Sequence, residues 1–398
     1  MRVLVLNGGS SSLKAVLYQM GADTPPSTPP APPWDARVDW GRHPGAAEIR
    51  IRTATGTTNR TLPISSQEAV LRPVLESLPD KPDIAGHRVV HGGRAFRDST
   101  RVTPEVKREI GRLVEYAPEH NRLELEAIEA VESILGAELP QVAVFDTAFH
   151  ATLKPPAYTY PGPRGWLDEG LRRFGFHGIS HQYTSRRAAE ILGRPLESLR
   201  MVTCHLGNGC SLAAVAEGRS VDTTMGFTPL AGLMMGTRSG TIDPGIIIHL
   251  VRHCNYRAED LDRILNKESG LKGLSQVSGD MREILSAIEA GNADAQLAFD
   301  VYAHRLNQEI GSMLGTLGGL DALVFTAGVG ENTPLLRTRV AERFAFLGIH
   351  LDEPVNGRSP ADTEISTPAS AVRVLIVRTE EDWEIARECH RLNAEGAL

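Results

Sequence analysis

The sequence predicts an α/β protein built as two domains, and three observations point there. Apolar strand-like runs alternate with segments of helical period along most of the chain. Three glycine-rich turns each follow directly on such an apolar run. The opening strand–turn–strand unit also has a counterpart about 200 residues on, and 398 residues suffice for two separate hydrophobic cores.

Residues 2–18 read as a strand, a polar turn (Asn7-Gly8-Gly9-Ser10-Ser11-Ser12) and a second strand from Leu13. Residues 25–33 carry six prolines, which excludes a sheet interior and predicts an exposed loop without chemistry. Residues 104–135 have helical spacing interrupted at Pro118. Residues 141–145 form a short apolar strand ending on Asp146, and the proline-rich stretch 155–163 marks a domain boundary. Residues 201–215 repeat the opening theme around Gly207-Asn208-Gly209. Both hairpins end on Leu-x-Ala-Val, which fits either a duplicated domain or a coincidence of common turn residues. A long helix over 294–317, a strand over 322–326, a strand over 372–377 and a helix over 380–393 complete the chain.

The formal charge of −7 argues against a broad nucleic-acid surface. No apolar run reaches the roughly 18 residues of a membrane span, and the opening residues lack a basic leader with an apolar core. The four cysteines (Cys204, Cys210, Cys254, Cys389) match no zinc or redox spacing. A cytoplasmic enzyme is the expected class, with no nucleic-acid or membrane partner.

The three glycine-rich turns let backbone N–H groups approach an anion closely. The first adds the hydroxyls of Ser10, Ser11 and Ser12 and the cation of Lys14. The second is His205-Leu206-Gly207-Asn208-Gly209. The third, Gly328-Val329-Gly330-Glu331-Asn332, runs toward a helix start near Thr333 and Pro334. None is a P-loop or a dinucleotide fingerprint, but three at strand ends point to a bound nucleotide.

Arg88 and His91 stand in a glycine-bounded apolar strand, and Arg238 stands between Gly236 and Gly240. A guanidinium forks onto carboxylate or phosphate, so both arginines are candidate clamps; the alternative is an arginine tying down a turn. Asp146 is placed to direct a metal or accept a proton, or else to cap the turn that follows. His177 and His181 have the spacing of helical zinc ligands, but the glutamate of a zinc peptidase motif is missing and Gly178 weakens a helix. His177 reads better as a donor beside a transferring group, or as a hydrogen-bonded core histidine.

Seven ordered segments, at residues 7–14, 87–93, 145–150, 174–181, 205–209, 236–240 and 328–332, resemble the acetate kinase family across nearly the whole chain. The resemblance implies two ribonuclease-H-like domains of the acetate and sugar kinase, Hsp70 and actin superfamily, with nucleotide in the interdomain cleft. The domains are expected at residues 1–150 and 151–383, with a terminal helix at about 384–398 packing back on the first. The implied cofactor is Mg2+, with Mn2+ as an alternative, ATP and ADP are co-substrates, and a homodimer is implied.

Residue by residue, the resemblance assigns Asn7 and Glu381 to the metal, the latter within Glu380-Glu381-Asp382-Trp383 where the family has Asn-Glu-Glu-Leu. It assigns Lys14, His205–Gly209, Asp280-Met281-Arg282 and Gly328–Asn332 to ATP. Arg88 becomes the carboxylate clamp, with Val90, His120, Phe176 and Pro229 lining the acyl pocket. Asp146 becomes the catalytic acid/base or metal organiser, and His177 and Arg238 the transition-state stabilisers. The implied reaction is reversible in-line transfer between ATP and acetate, the acid attacking the γ-phosphoryl group. Glu119 departs from the pattern: it replaces an apolar residue of the acyl pocket, where a carboxylate would repel bound acetate. It is expected to turn away from the pocket, toward Arg122. Ala231 and Thr241 replace acidic residues of the family. The alternatives are a propionate or butyrate kinase with an altered pocket, or an ATP-binding switch protein on the same fold.

Overall fold

The opening apolar run forms β1 (Arg2–Gly8), which turns back antiparallel into β2 (Ser12–Gln19). The computed structural model describes residues 1–9, 12–21, 23–43, 45–64, 66–117 and 120–398. The chain divides into two units, residues 1–151, 178–183 and 380–398 in the first and 152–177 and 184–379 in the second.

In the first unit the antiparallel meander continues through β3 (Trp34–His43), β4 (Ala46–Thr53) and β5 (Gly56–Pro63). On its other side β1 pairs in parallel with β6 (Ile84–Val89), and β6 in parallel with β8 (Gln141–Phe145). The two-residue β7 (Thr100–Arg101) closes the edge, giving the order β5-β4-β3-β2-β1-β6-β8-β7. Continuous burial of Val3, Leu4, Val5 and Leu6 follows from a sheet covered on both faces. One face packs Leu4, Leu6 and Leu17 against Val70, Val74 and Val131 from the helices Gln67–Leu75 and Asn121–Leu135. The terminal helix Glu381–Ala394 approaches closely at Gly86, where a β-carbon would come within 2.5 Å of Cys389 Sγ.

The helical stretch expected over 104–135 is broken in two. Thr103 caps the first helix, Pro104–Arg112, by accepting from Val106 N–H, with Pro104 in the first turn. A short 3-10 turn over Leu113–Glu115 follows, and the second helix begins at Asn121. The proline-rich loop is not inert packing. Its Pro25 and Pro26 carbonyls accept from Arg387 at 2.9 Å each, and Pro26 also accepts from Trp383 at 3.1 Å, so the loop anchors the terminal helix.

In the second unit β9 (Arg200–Leu206), β10 (Cys210–Ala216) and β11 (Arg219–Thr223) form an antiparallel meander. Next to β9 lie, in parallel, β12 (Ala322–Thr326) and then β14 (Arg373–Ile376), with β13 (Thr363–Glu364) at the edge. The order β11-β10-β9-β12-β14 repeats β3-β2-β1-β6-β8 of the first unit, strand directions included. This recurrence favours duplication over coincidence for the two hairpins. The long helix Ala293–Leu317 starts on the Asn292 cap, buries Phe299, Tyr302, Leu306 and Ile310, and ends at Gly318 with φ +65°.

Candidate functional site

In each unit the chemistry-bearing side chains gather at the carboxyl ends of the parallel strands, where open α/β sheets bind ligands. In the first unit these are the ends of β1, β6 and β8. Arg88 Nη2 donates to Asp146 Oδ2 at 2.6 Å, and Nη1 donates to the Gly8 carbonyl at 3.0 Å. Asp146 is 1% exposed, and its Oδ1, like Arg88 Nε, is buried without a hydrogen-bond partner. Burial pulls the Arg88 pKa down, but Asp146 and Glu381 more than offset it and hold the guanidinium charged. Gly178 lets the backbone close on this site: its N–H donates to the Asp146 carbonyl at 2.8 Å, and a β-carbon there would collide with that oxygen.

Asn7 Nδ2 donates to Asp382 Oδ1 at 2.8 Å and to Glu381 Oε2 at 3.3 Å. Burial raises the Glu381 carboxyl pKa, against the pull of Arg88. Lys14 is ion-paired with Asp382. Beyond the end of β6, the helix Asn121–Leu135 satisfies the backbone. Asn121 accepts from His91 N–H at 3.1 Å and donates to the His91 carbonyl at 3.0 Å, while Glu124 accepts from Val90 N–H at 2.9 Å. Ser10, Ser11 and Glu119 lie outside the described residues.

In the second unit His177 takes a left-handed backbone at φ +56°, uncommon for a side chain with a β-carbon. Its Nδ1 lies 2.9 Å from Ser211 Oγ, and its ring stacks on His205 with centroids 4.2 Å apart. Arg238 Nη1 donates to the Pro229 carbonyl at 3.2 Å. A β-carbon on Gly209 would touch both His177 Cε1, at 3.4 Å, and Arg238 Nη1, at 3.5 Å, so these groups meet at one turn. His181 belongs to the first unit and meets His150 there edge-on, with ring centroids 5.7 Å apart, and the described residues contain no metal-holding group of three His, Cys, Asp or Glu.

Beside this turn opens a pocket of about 740 Å³ lined by Gly207, Asn208, Asp280, Met281, Arg282, Gly328, Val329 and Asn332, with Gly279, Leu285 and Thr333, a volume suited to a small-molecule ligand. Asp280 caps the helix Met281–Glu289 by accepting from Arg282 N–H. The third glycine-rich segment is a short helix, Ala327–Asn332, where the sequence predicts a turn. Ala327 leaves β12 with a left-handed φ of +65°, where the chain turns out of the strand. His205, Leu206, Gly209, Gly330 and Glu331 do not line this pocket. His205 and Leu206 are buried strand residues, and Glu331 Oε1 accepts from Thr379 N–H at 3.1 Å.

The acetokinase family model matches residues 2–387. The chain belongs to the acetokinase family. It is 54% identical to the acetate kinase of Gloeobacter violaceus, with 98% of each chain covered. The crystal structure of Porphyromonas gingivalis acetate kinase matches with a TM-score of 0.88 at 37% identity, covering 100% of this chain and 99% of that one. A propionate kinase structure from Francisella tularensis subsp. tularensis also matches with a TM-score of 0.88, at 35% identity and 97% and 98% coverage. The fold is accordingly the two-domain α/β fold of the acetate and sugar kinase superfamily, and this acetokinase-family protein is an ATP-using kinase.

Some residues of this family member's sites are not evident from motif reading. Arg337, 1% exposed, donates to the Gly330 carbonyl at 2.7 Å and the Glu331 carbonyl at 3.0 Å, and is held by Asn356 and Ser359. Glu124, 5% exposed, is the other. Its signal is visible in hindsight: a carboxylate on the same helical face as Ala127, Ile128 and Val131 contradicts an apolar stripe.

Proposed function

We propose that this kinase transfers the γ-phosphoryl group of ATP to acetate, reversibly, giving acetyl phosphate and ADP by direct in-line displacement. The observation that carries the reading is Arg88, a clamped guanidinium with an unpartnered Nε beside a buried Asp146. Such a group pairs with a carboxylate in a planar fork. The acid is ionised at neutral pH and attacks without a strong base. Val90 and His120 are the proposed acyl contacts of the first unit. In the second unit, Phe176 and Pro229 keep the acyl-contact roles implied by the family pattern.

ATP is assigned to the pocket around Gly207, Asp280 and Gly328, and Lys14 keeps the phosphate-side role implied by the family pattern. His177 and Arg238 are proposed to supply donors to the charge spread over the transferring group. Asp146 holds Arg88 in register and organises the metal. Mg2+, or alternatively Mn2+, is the proposed ion, with Asn7 and Glu381 as its holders. A few hard oxygen donors, among them the unpartnered Asp146 Oδ1, suit a cation that keeps water and phosphate in its shell. When bound, the ion neutralises charge on the phosphate oxygens.

A homodimer is proposed as well. The helix Pro244–His253 exposes Ile246 (48%), Ile248 (52%) and Val251 (48%), an apolar face of the kind that association covers. Free cysteines, three of the four buried, support a reducing, cytoplasmic setting. The likeness to a propionate kinase structure makes the next longer acid the second substrate to test. Initial rates with acetate, propionate and butyrate over a concentration series decide between them. The highest kcat/KM with acetate is expected, and a clear preference for either longer acid would replace it.

A further inference from the structure

We propose that Glu124 is a positioning residue of the acyl site, fixing the Val90 backbone and tuning Arg88 through a small polar cavity that the two residues share. The cavity holds about 10 Å³, the space of one water. It is lined by Gln67, His87, Arg88, His120 and Glu124 with apolar neighbours. Four of these carry a buried polar atom without a hydrogen-bond partner: Gln67 Oε1, His87 Nδ1, Arg88 Nε and Glu124 Oε1. So many unpaired groups around one small space mark a polar compartment behind the clamp, where ordinary cores leave few.

Glu124 Oε2 is occupied by Val90 N–H, which leaves Oε1 to define the charge of the compartment. Several groups face it. From β6 come Arg88 and His87, the latter driven down to about 4 by burial and so neutral. After β8 comes Asp146. The helix Gln67–Leu75 contributes only the uncharged Gln67, and β3 the indole of Trp40. At the start of Glu124's own helix stands His120. Burial raises the Glu124 carboxyl to about 8; Arg88 and Val90 N–H oppose this, and Asp146 adds to it. Near neutral pH the compartment therefore contains an uncharged acid, and Arg88 answers to Asp146, to Glu381 and to the incoming carboxylate. Above pH 8 the Glu124 carboxylate joins them in competing for the same guanidinium.

This inference rests on Arg88 as the acyl clamp. By linkage, if bound acid raises the Glu124 pKa by one unit, its KM rises about tenfold across the titration. The test is KM for acetate and for ATP between pH 6 and 10 in the wild type and in Glu124→Gln, which stays neutral and can still accept from Val90 N–H. Arg88→Ala is measured alongside. The expected result is an acetate KM that climbs severalfold above about pH 8 in the wild type and stays flat in Glu124→Gln, with ATP KM alike in both. The same climb in Glu124→Gln, or no climb in the wild type, overturns the role of Glu124 while an acetate KM raised by Arg88→Ala leaves the clamp standing. An Arg88→Ala enzyme with unchanged acetate KM overturns the clamp and this inference together.

Discussion

Arg88 and Asp146 are joined by a hydrogen bond of 2.6 Å between Nη2 and Oδ2, and the aspartate is 1% exposed. The pair leaves Arg88 Nε and Asp146 Oδ1 without partners. It is at once a structural tie between adjacent strand ends and a source of one donor and one acceptor without partners. Removing one member exposes both functions. Arg88→Ala should raise the acid KM by about 10–100-fold, the worth of a charge-assisted hydrogen bond, and leave ATP KM nearly unchanged. It should also cost about 3–5 kcal/mol of stability, because Asp146 is left buried and unpaired. Steady-state kinetics with a denaturation curve checks both.

Arg238, half-buried, stands at the turn shared by Gly209 and His177. Arg238→Ala should lower kcat by about 10²–10³-fold, the loss seen when one transition-state donor is removed. Its melting temperature should stay close to wild type. A folded variant with near wild-type turnover removes Arg238 from the mechanism.

Arg337 saturates the carbonyls of Gly330 and Glu331 behind the pocket-lining Gly328, Val329 and Asn332. Arg337→Met should leave those carbonyls unsatisfied, at about 1–3 kcal/mol each. The expected signature is a raised ATP KM with the acid KM unmoved, together with a lowered melting temperature.

The seven ordered segments carry the family, because glycine turns and their flanking side chains are local features. What escapes is non-local. Nothing in the sequence near Arg88 says that Asp146, 58 positions away, lies on the adjoining strand; only the β6–β8 register does. Strands β3 to β5 are hard to read over residues 34–63, since the edge strand β5 is exposed along nearly its whole length and so has no apolar alternation. Pro118 is visible as a break, but the separate cap at Thr103 and restart at Asn121 depend on where the two helices dock. Ala327–Asn332 was legible as glycine-rich and not as helical, because two glycines in six residues argue against a helix that the Arg337 contacts nonetheless stabilise.

Glu124 also predicts a pH dependence of stability. Its carboxyl is raised from 4.5 to about 8 by burial. A raised folded pKa favours the neutral form, so its contribution is full below the unfolded value and is lost as pH climbs through the folded one. Glu124→Gln removes that loss. Melting temperatures should therefore diverge in favour of the variant between about pH 5 and pH 8, and the gap should level off above. A constant gap over that range means that Glu124 does not titrate as described.

Whether a carboxylic acid is the phosphoryl acceptor is decided by trapping the product. Purified protein is incubated with ATP, Mg2+ and acetate in the presence of hydroxylamine, and acetyl hydroxamate is measured against a control without acid. Hydroxamate is expected in stoichiometric step with ADP, strictly dependent on acetate, and lost in Arg88→Ala at low acetate. ADP release without hydroxamate from acetate, propionate or butyrate would contradict that expectation, leaving a nucleotide-driven switch on this fold as the better reading.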